Sequence, residues 1–324
     1  MRIGKIAAAK NFTSSSSVTD HLGLGTFMAG QVAGTGAAAD GQRRGVAFGA
    51  RLVIGKVLGD DGSGFESDVI AGMDWAATQA RVISMSLGTG TPSSGTDPLS
   101  LAINQLTTAD HVLFVIAAGD YGPADETIDS PAAATDALAV GAVDGSDRLA
   151  SFSGRGPRPG DYAIKPEITA PGVSIVGDRA AGTTMGSAVD ARYITDSGTS
   201  MATAQVAGAA AVLAALHPRW SPAELKAALV STAHPAVGGD VYQLGGGMLD
   251  VATAVTDRVV AGQAVAGLGP VTFGATRPVT RVLSWTNTGT TPVTLHLSAG
   301  LTDHAGHSAP ASGLGRPDLR QLPH

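Results

Sequence analysis

The chain has 324 residues, of which 44% are hydrophobic and 15% are charged, so it carries enough apolar material for one large globular core. A net charge of -6 without any Lys/Arg cluster argues against nucleic-acid binding, and the absence of cysteine excludes disulfides, thiolate zinc sites and cysteine nucleophiles. No apolar stretch near the N-terminus is long enough for a signal peptide or a membrane span, so we expect a cytoplasmic protein that does not contact a membrane.

Short β-rich apolar runs alternate along the chain with alanine-rich helical runs, which is typical of a parallel sheet covered by helices on both faces. Ser67 or Asp68 should cap the first of these helices, and the segment 221–224 has the capping-box pattern that opens another. The helix at 199–216 is almost wholly apolar, so we expect it in the core. In chain order the pattern predicts a strand at 52–58, a helix at 67–80, a strand at 81–87, a helix at 99–109, strands at 112–117 and 137–143, and helices at 199–216 and after 221.

The hydrophobic pattern and the composition of the sequence change near residue 266. The segments 279–286 and 293–298 alternate like antiparallel strands around a turn at 287–289, and the sequence after 301 is rich in Gly, Pro, Ser and His. We therefore predict a first domain at 1–265, a small β-rich fragment at 266–301 and a flexible tail at 302–324.

Four segments resemble a known family. The sequence GTSMA at 198–202 resembles the nucleophile motif of subtilases, with Ser200 as the nucleophile at the positive end of a buried helix. The segment 23–30 resembles the part of the family's sequence that carries the catalytic histidine. The segment 117–119 resembles the residues just before the oxyanion-hole asparagine, and the segment 168–172 resembles a further family motif that precedes the serine. The resemblance covers roughly residues 3–260 and implies a subtilisin-like three-layer α/β fold with a mostly parallel sheet. The fragment after 266 resembles the start of the β-sandwich that often follows this domain in actinobacterial subtilases.

The positions that carry catalysis in the family are altered in this sequence. The family cleaves peptides with a serine, a histidine base, an aspartate that orients the base, and donors that hold the oxyanion. Leu24 stands at the position of the base, Phe27 at a second histidine often found there, and Asp120 at the oxyanion-hole asparagine. Leucine cannot accept the proton of Ser200, and an ionised carboxylate would repel the oxyanion, so we expect no peptidase activity of the usual kind. The alternative is that His21 serves as a substitute base.

The family's orienting aspartate lies on a central strand that precedes the histidine segment, and we find no such strand in the sequence as written. The neighbouring strands would then expose unpaired main-chain groups. The slot is filled by the segment 281–286, by a second copy of the chain or by a partner chain, unless the sheet is rearranged or the start of the sequence is artificial; the sequence leaves these alternatives open.

The substrate groove of the family is predicted to be retained, with new polar side chains at its centre. Ser86, Leu87 and Gly88 resemble one edge that pairs with an extended peptide, and the segment 58–64 resembles the other. Asp129 lies in the segment that floors the first specificity pocket, Asp196 replaces a common apolar residue, and Gln205 replaces a frequent histidine. The candidate catalytic residues are Asp120 and Ser200, and the candidate cleft residues are Leu24, Phe27, Ser86, Leu87, Gly88, Asp129, Asp196, Thr199 and Gln205.

Two classes of function follow from a retained groove with an altered centre. In the first, the protein is a pseudoprotease that holds a peptide or protein partner, with Asp120 and Asp129 favouring a cationic group. In the second, which we favour by a small margin, Leu24 and Phe27 keep Asp120 protonated as an acid for a small-molecule cyclisation or rearrangement in secondary metabolism. We predict no cofactor and no metal site, because the C-terminal histidines and the acidic turn at 60–62 match no ligand spacing.

Overall fold

The computed structural model describes residues 4–270, 279–296, 301–302 and 308–309. Its main sheet has four strands in the order β3-β4-β5-β6, and each neighbouring pair is parallel. A separate sheet pairs β1 with β2, also in parallel. The strands of these two sheets are β1 (Ile6–Asn11), β2 (Leu52–Lys56), β3 (Val82–Met85), β4 (Leu113–Ala117), β5 (Leu138–Val143) and β6 (Ile168–Pro171).

Helices cover both faces of the main sheet, as the alternating pattern predicts. The long helix α4 packs on all four strands of this sheet from one face, whereas α2 and α3 form an apolar cluster with β3 and β4 on the other face. The helices are α1 (Leu24–Ala33), α2 (Glu66–Ala77), α3 (Pro98–Asp110), α4 (Thr199–Leu216), α5 (Pro222–Ser231), α6 (Val241–Leu244) and α7 (Val251–Thr256).

Smaller antiparallel sheets complete the described part of the chain. A three-stranded sheet in the order β7-β9-β8 packs through β7 against α1, and two two-stranded sheets lie nearer the C-terminus. These strands are β7 (Ile175–Asp178), β8 (Ser187–Ala188), β9 (Tyr193–Asp196), β10 (Val259–Ala261), β11 (Trp285–Asn287), β12 (Leu301–Thr302) and β13 (Ser308–Ala309).

The helix α4 lies in the core because its residues are small and apolar on every side. Ala202, Val206, Ala209 and Leu213 are almost completely buried against the main sheet, as the uniform composition predicts. Within the described residues it is also the one helix whose length and mean hydropathy would suit a membrane span, but 61% of it is buried inside the fold. A core helix of a soluble domain passes the same test.

Side-chain caps open α3, α5, α6 and α7, whereas α1, α2 and α4 begin without one. Asp97 caps α3 by accepting a 2.9 Å hydrogen bond from the Ser100 amide, and Ser221 and Glu224 form the predicted capping box of α5. The prediction that Ser67 or Asp68 caps α2 is wrong. That helix already begins at Glu66, so both residues lie in its first turn, where the negative charge of Asp68 still opposes the helix dipole favourably.

The C-terminal prediction needs correction. Of the strand predicted at 279–286 only Trp285 and Thr286 are in a strand, and residues 293–296 are not; residues 297–298 lie outside the described residues. Strand β11 pairs in antiparallel with β10, so the segment 281–286 does not fill a slot in the main sheet. The predicted turn at 287–289 does form, because the Asn287 side chain accepts a hydrogen bond from the Gly289 amide. Most of the tail at 302–324 lies outside the described residues.

The outer edge of β6 is covered by a later part of the chain. Thr169 forms a parallel bridge with Met248; its amide donates to the Gly247 carbonyl, and its own carbonyl accepts from the Leu249 amide, both at 2.8 Å. This edge of the sheet therefore has no unpaired groups at Thr169.

Beside this edge the core contains an ion cluster that the sequence analysis did not identify. The Glu167 carboxylate receives the ammonium groups of Lys165, at 2.8 Å, and Lys226, at 2.6 Å. Both lysines also donate to the Ala137 carbonyl, and the second carboxylate oxygen of Glu167 accepts from the Ala139 amide. Burial lowers the pKa of Lys165 to about 7, whereas the two ammonium groups outweigh burial and hold the pKa of Glu167 below its usual value.

Candidate active-site cleft

A cleft of about 460 Å³ opens at the N-terminal end of α4. Four separate parts of the chain form its walls: the loop before α1, the loop after β4, the segment 182–185, and the segment 196–201 that leads into α4. The residues that line it are His21, Leu22, Leu24, Asp120, Gly182, Thr183, Thr184, Met185, Asp196, Ser197, Gly198, Ser200 and Met201.

Ser200 lies in the first turn of α4 and is partly exposed to the cleft. Gly198 anchors this turn by donating its amide to the Gly172 carbonyl at 2.8 Å, and the Ser86 hydroxyl donates to the Ser200 carbonyl at 3.1 Å. In the described part of the chain, no side chain forms a hydrogen bond with the Ser200 hydroxyl. The serine is thus held in position, but no base is in place to accept its proton.

Leu24 is the first residue of α1 and contributes an apolar surface to the cleft. The turn before it needs Gly23, whose φ of 112° is unfavourable for any residue with a side chain. Asp20 fixes the turn, because its carboxylate accepts the amides of Leu22, Gly23 and Thr26. Burial alone would raise the pKa of Asp20, but these donors outweigh it and hold that pKa below its ordinary value.

His21 is exposed and lines the same cleft as Ser200. No carboxylate orients its ring through a hydrogen bond in the described residues, because Asp20 is engaged with backbone amides. Asp60 is near enough to interact electrostatically with His21, but it forms an ion pair with Lys56. Among the residues that the structure describes, no carboxylate is therefore placed to orient His21 as in a serine-protease triad.

Asp120 is exposed at the mouth of α4. Its Oδ1 accepts two hydrogen bonds of 2.8 Å, one from the Thr199 amide and one from the Thr199 hydroxyl. Both donors and the positive end of α4 stabilise negative charge on this carboxylate. Asp120 thus presents an anionic acceptor beside Ser200, where stabilisation of an oxyanion needs a donor.

Asp129, which we expected in the cleft, is 3% exposed and does not line it. Its carboxylate accepts hydrogen bonds from the Thr89 hydroxyl and from the amides of Gly90 and Thr91. A Cβ at Gly88 would lie 2.1 Å from its Oδ2, so the side chain fills the space beside that glycine. Burial raises the pKa of Asp129 in spite of these donors.

The other predicted cleft residues divide between the cleft and its support. Asp196 lines the cleft and is partly buried, whereas Thr199 is buried and reaches it only through Asp120. Phe27 is completely buried in a cluster with Met28, Ile194, Met201 and Ala204, and its ring packs against Gly177 of β7, so the expectation that it forms a cleft wall is wrong.

Four further predicted residues do not line this cleft. The Ser86 hydroxyl donates to the main-chain carbonyl of Ser200, and Leu87 packs on the cluster formed by α2 and α3. Gly88 is exposed but does not line the cleft, and Gln205 donates to the Pro171 carbonyl at 2.7 Å. Sequence reasoning missed Thr183, Thr184 and Met185, because only the fold brings the segment after β7 to the mouth of α4.

Within the described residues, no group of three or more His, Asp or Glu side chains is arranged to hold a metal ion. In the acidic turn, Asp61 binds the amide and hydroxyl of Ser63, and Asp60 pairs with Lys56. Both carboxylates therefore already have protein partners.

Comparison with known proteins identifies the family of this chain. Residues 7–267 match the Subtilase family (Peptidase_S8). The chain is 37% identical over 230 residues to the protein named Serine protease AprX of Bacillus subtilis, which covers 64% of this chain and 52% of that protein. It is 36% identical over 256 residues to Subtilisin DY of Bacillus licheniformis, covering 77% of this chain and 84% of that protein. Among solved structures, Sphericase is 34% identical with a TM-score of 0.63, over 75% of this chain and 84% of the other.

The chain therefore spans about half the length of the first of these relatives and most of the length of the other two. The family match extends over nearly all of the described core, from β1 to the residues after β10. This chain belongs to the subtilase family.

Proposed function

We propose that this subtilase does not cleave peptides and that its cleft holds the cationic side chain of an extended peptide. The observation that carries the proposal is the position of Asp120, which directs a stabilised carboxylate into the cleft next to Ser200. Asp196 adds a second acidic side chain to the same walls. A cleft with two carboxylates and an unactivated serine suits an ammonium or guanidinium group better than a developing oxyanion.

The surroundings of Asp120 weigh against the small-molecule enzyme that the sequence favoured by a small margin. That hypothesis needs a protonated carboxyl beside an apolar wall. Phe27, half of the expected wall, is buried in the core, and the Asp120 carboxylate is exposed at the cleft rather than enclosed by apolar side chains. We therefore prefer the binding function.

Peptidase activity with His21 as the base is the second candidate, because His21 and Ser200 line the same cleft and the relatives named above are called proteases or subtilisins. Two features oppose this activity. The imidazole of His21 is not oriented by a described carboxylate, and Asp120 stands where the reaction needs a donor to the oxyanion. Loss of one oxyanion donor alone lowers the rate about a hundred- to a thousandfold.

Calorimetric titration with two pentapeptides tests the proposal. Both are acetylated and amidated runs of alanine, one with lysine and the other with glutamate at the centre. We expect the lysine peptide to bind, its affinity to fall with added salt, and the glutamate peptide not to bind. Mass spectrometry of the same mixture after overnight incubation should find the lysine peptide intact.

Two variants with the same change in net charge supply the control. Asp120→Asn should weaken binding of the lysine peptide about fivefold, as expected for the loss of one charge pair worth about 1 kcal/mol. Asp110→Asn, at the exposed end of α3, should leave the affinity unchanged. Cleavage of either peptide, together with labelling of Ser200 by a fluorophosphonate, would contradict the proposal and favour the His21 alternative.

A further inference from the structure

The cleft contains an apolar surface beside its two carboxylates. Four of the side chains that line it are aliphatic or thioether groups, and they are Leu22, Leu24, Met185 and Met201. They come from three separate parts of the chain: the entry into α1, the segment 182–185 and the first turn of α4. The proposed function uses only the acidic side chains, so it leaves this apolar surface without a role.

Three of the four side chains are joined through one part of the core. Leu24 and Met185 are partly exposed, and both pack against the apolar cluster that contains Met201. A Cβ at Gly23 would lie 3.3 Å from the Cβ of Met185, so the segment 182–185 packs directly on the turn before α1. The surface is therefore continuous, with the core behind it and the cleft in front.

Leu22 extends the apolar surface towards the rim of the cleft. Its side chain is 43% exposed, and a Cβ at Gly62 would lie 3.1 Å from its Cδ2, so it rests against the acidic turn at 60–62. A single exposed leucine needs no explanation, but this one belongs to the lining of a concave site. The apolar lining thus reaches from this turn to the first turn of α4.

Hydrogen bonds fix the segments that carry the apolar surface. The Thr183 hydroxyl donates to the Ala180 carbonyl at 2.9 Å, and the Arg179 guanidinium donates to the Thr183 carbonyl at 3.2 Å. On the other side, the Leu22 amide donates to the Asp20 carboxylate. A ligand would meet a surface that is already formed, which lowers the entropic cost of binding.

The acidic and the apolar groups of the cleft meet at Gly198. A Cβ at this position would lie 3.0 Å from Oδ2 of Asp120 and 3.5 Å from the sulfur of Met201. The other oxygen of the carboxylate, Oδ1, accepts the two hydrogen bonds from Thr199. Because Oδ2 and the sulfur approach the same glycine, a cation held by Asp120 lies directly beside the apolar surface.

The cleft has room for a cation and a separate apolar group. Its volume of about 460 Å³ is within the range of sites that bury drug-sized ligands. The methylene stem of one lysine would cover only part of a surface built from four side chains. An aliphatic side chain next to the cation would cover the rest, and its removal from water is favourable.

We propose that the cleft selects peptides in which a lysine or arginine is directly adjacent to a leucine-sized aliphatic residue, with the cation at Asp120 and the aliphatic side chain on the apolar surface. This inference rests on the proposed function, because it takes Asp120 as the group that holds the cation. It adds the class of peptide. A cleft for basic peptides in general would need no apolar surface beside the carboxylate.

Titration calorimetry with a set of acetylated and amidated pentapeptides tests this selectivity. The reference is Ala-Ala-Lys-Ala-Ala, and the two probes are Ala-Leu-Lys-Ala-Ala and Ala-Ala-Lys-Leu-Ala, which place leucine on either side of the lysine. We expect one of the probes to bind at least about tenfold more tightly than the reference, because a buried leucine side chain contributes about 1.5–3 kcal/mol. Added salt should weaken the reference and this probe by the same factor, since the extra contacts are apolar.

Two leucine substitutions locate the contact. Leu22→Ser should reduce the affinity ratio between the better probe and the reference at least about threefold, because it makes part of the apolar surface polar. Leu101→Ser is the matched control, since this leucine is 54% exposed on α3 and does not line the cleft. It should leave the ratio unchanged. Both side chains are about half exposed, so we expect both variants to fold.

The outcomes distinguish this inference from the proposed function. If the reference binds and neither probe binds more tightly, the proposed function stands and the selectivity is wrong. If no lysine peptide binds, both proposals are wrong. If a probe with glutamate in place of lysine binds as tightly as the probe itself, the apolar surface acts without the cation, which contradicts both. An unchanged ratio in the Leu22→Ser variant would place the leucine elsewhere and overturn the assignment to this surface.

Discussion

The two sides of β3 lie in the same sheet and under the same helices, yet they differ in burial. Towards β4 the side chains and main chain are buried, and Phe114 and Ile116 are 0% exposed. On the other edge of β3 no strand pairs with it in the described residues, and Ile83 and Val82 stay partly exposed although α2 and α4 pack on opposite faces of the strand. Helix layers above and below a sheet therefore do not bury a strand that lacks a lateral neighbour.

A matched pair of substitutions compares a buried charge with an exposed charge in the same way. Glu167→Gln should lower the free energy of unfolding by about 3–5 kcal/mol, because it leaves the ammonium groups of Lys165 and Lys226 buried without their counter-charge. Glu66→Gln, in the exposed first turn of α2, should cost less than about 0.5 kcal/mol. Urea denaturation measures both values, and equal effects would mean that the ion cluster contributes nothing beyond an exposed charge.

Two isoleucine substitutions compare the buried strand β4 directly with the partly exposed strand β3. Ile116→Ala in β4 should cost about 3–4 kcal/mol, whereas Ile83→Ala in β3 should cost about half as much, since its side chain is partly solvated before the change. Urea denaturation again provides the measurement. Equal costs for the two substitutions would show that Ile83 is as well buried as Ile116.

The raised pKa of Asp129 predicts that its contribution to stability depends on pH. Its pKa is raised by burial, so its contribution to stability is fully present below the unfolded-state pKa of about 4 and is lost as the pH rises through the folded-state pKa. Asp129→Asn should destabilise by about 1–3 kcal/mol at pH 4, since the new amide group faces the Gly90 amide. The destabilisation should be smaller at pH 7, where the native carboxylate has lost its contribution. Urea denaturation at both pH values tests this, and a larger effect at pH 7 would contradict it.

The smallest expected effect concerns the acidic side chain at the rim of the cleft. Asp196→Asn should weaken binding of the lysine pentapeptide about two- to fivefold at low salt, because a partly exposed charge pair contributes less than about 1 kcal/mol. At 1 M salt the difference should disappear. Titration calorimetry at both salt concentrations measures it, and an undiminished effect at high salt would point to a direct packing role.

The sequence predicted the central elements well, because their signals are local. A uniformly apolar run gave the bounds of α4, and Ser221 with Glu224 gave the start of α5. Four predicted strands coincide with β2 to β5 within two residues at each end, since apolar runs flanked by turn residues are a strong strand signal.

The candidate site was harder to predict, because it depends on contacts between distant segments. Leu24 and Phe27 are three residues apart on one helix, but the unpredicted strand β7 covers Phe27 and leaves Leu24 in the cleft. Asp129 meets the loop at 89–91 only in the folded chain, and a single sequence carries no sign of that contact. Lys165 and Glu167 look like an exposed loop pair until Lys226 approaches from α5.

The bridge between Thr169 and Met248 sets a limit on how far the chain can be shortened. A protein that ended after α4 would lose both Lys226 and the segment 247–249, so Glu167 would lose one of its cations and β6 would become a bare edge. The smallest fragment able to fold on its own must therefore extend beyond residue 249. Proteolytic trimming from the C-terminus should stop, as a stable core, at or after that position.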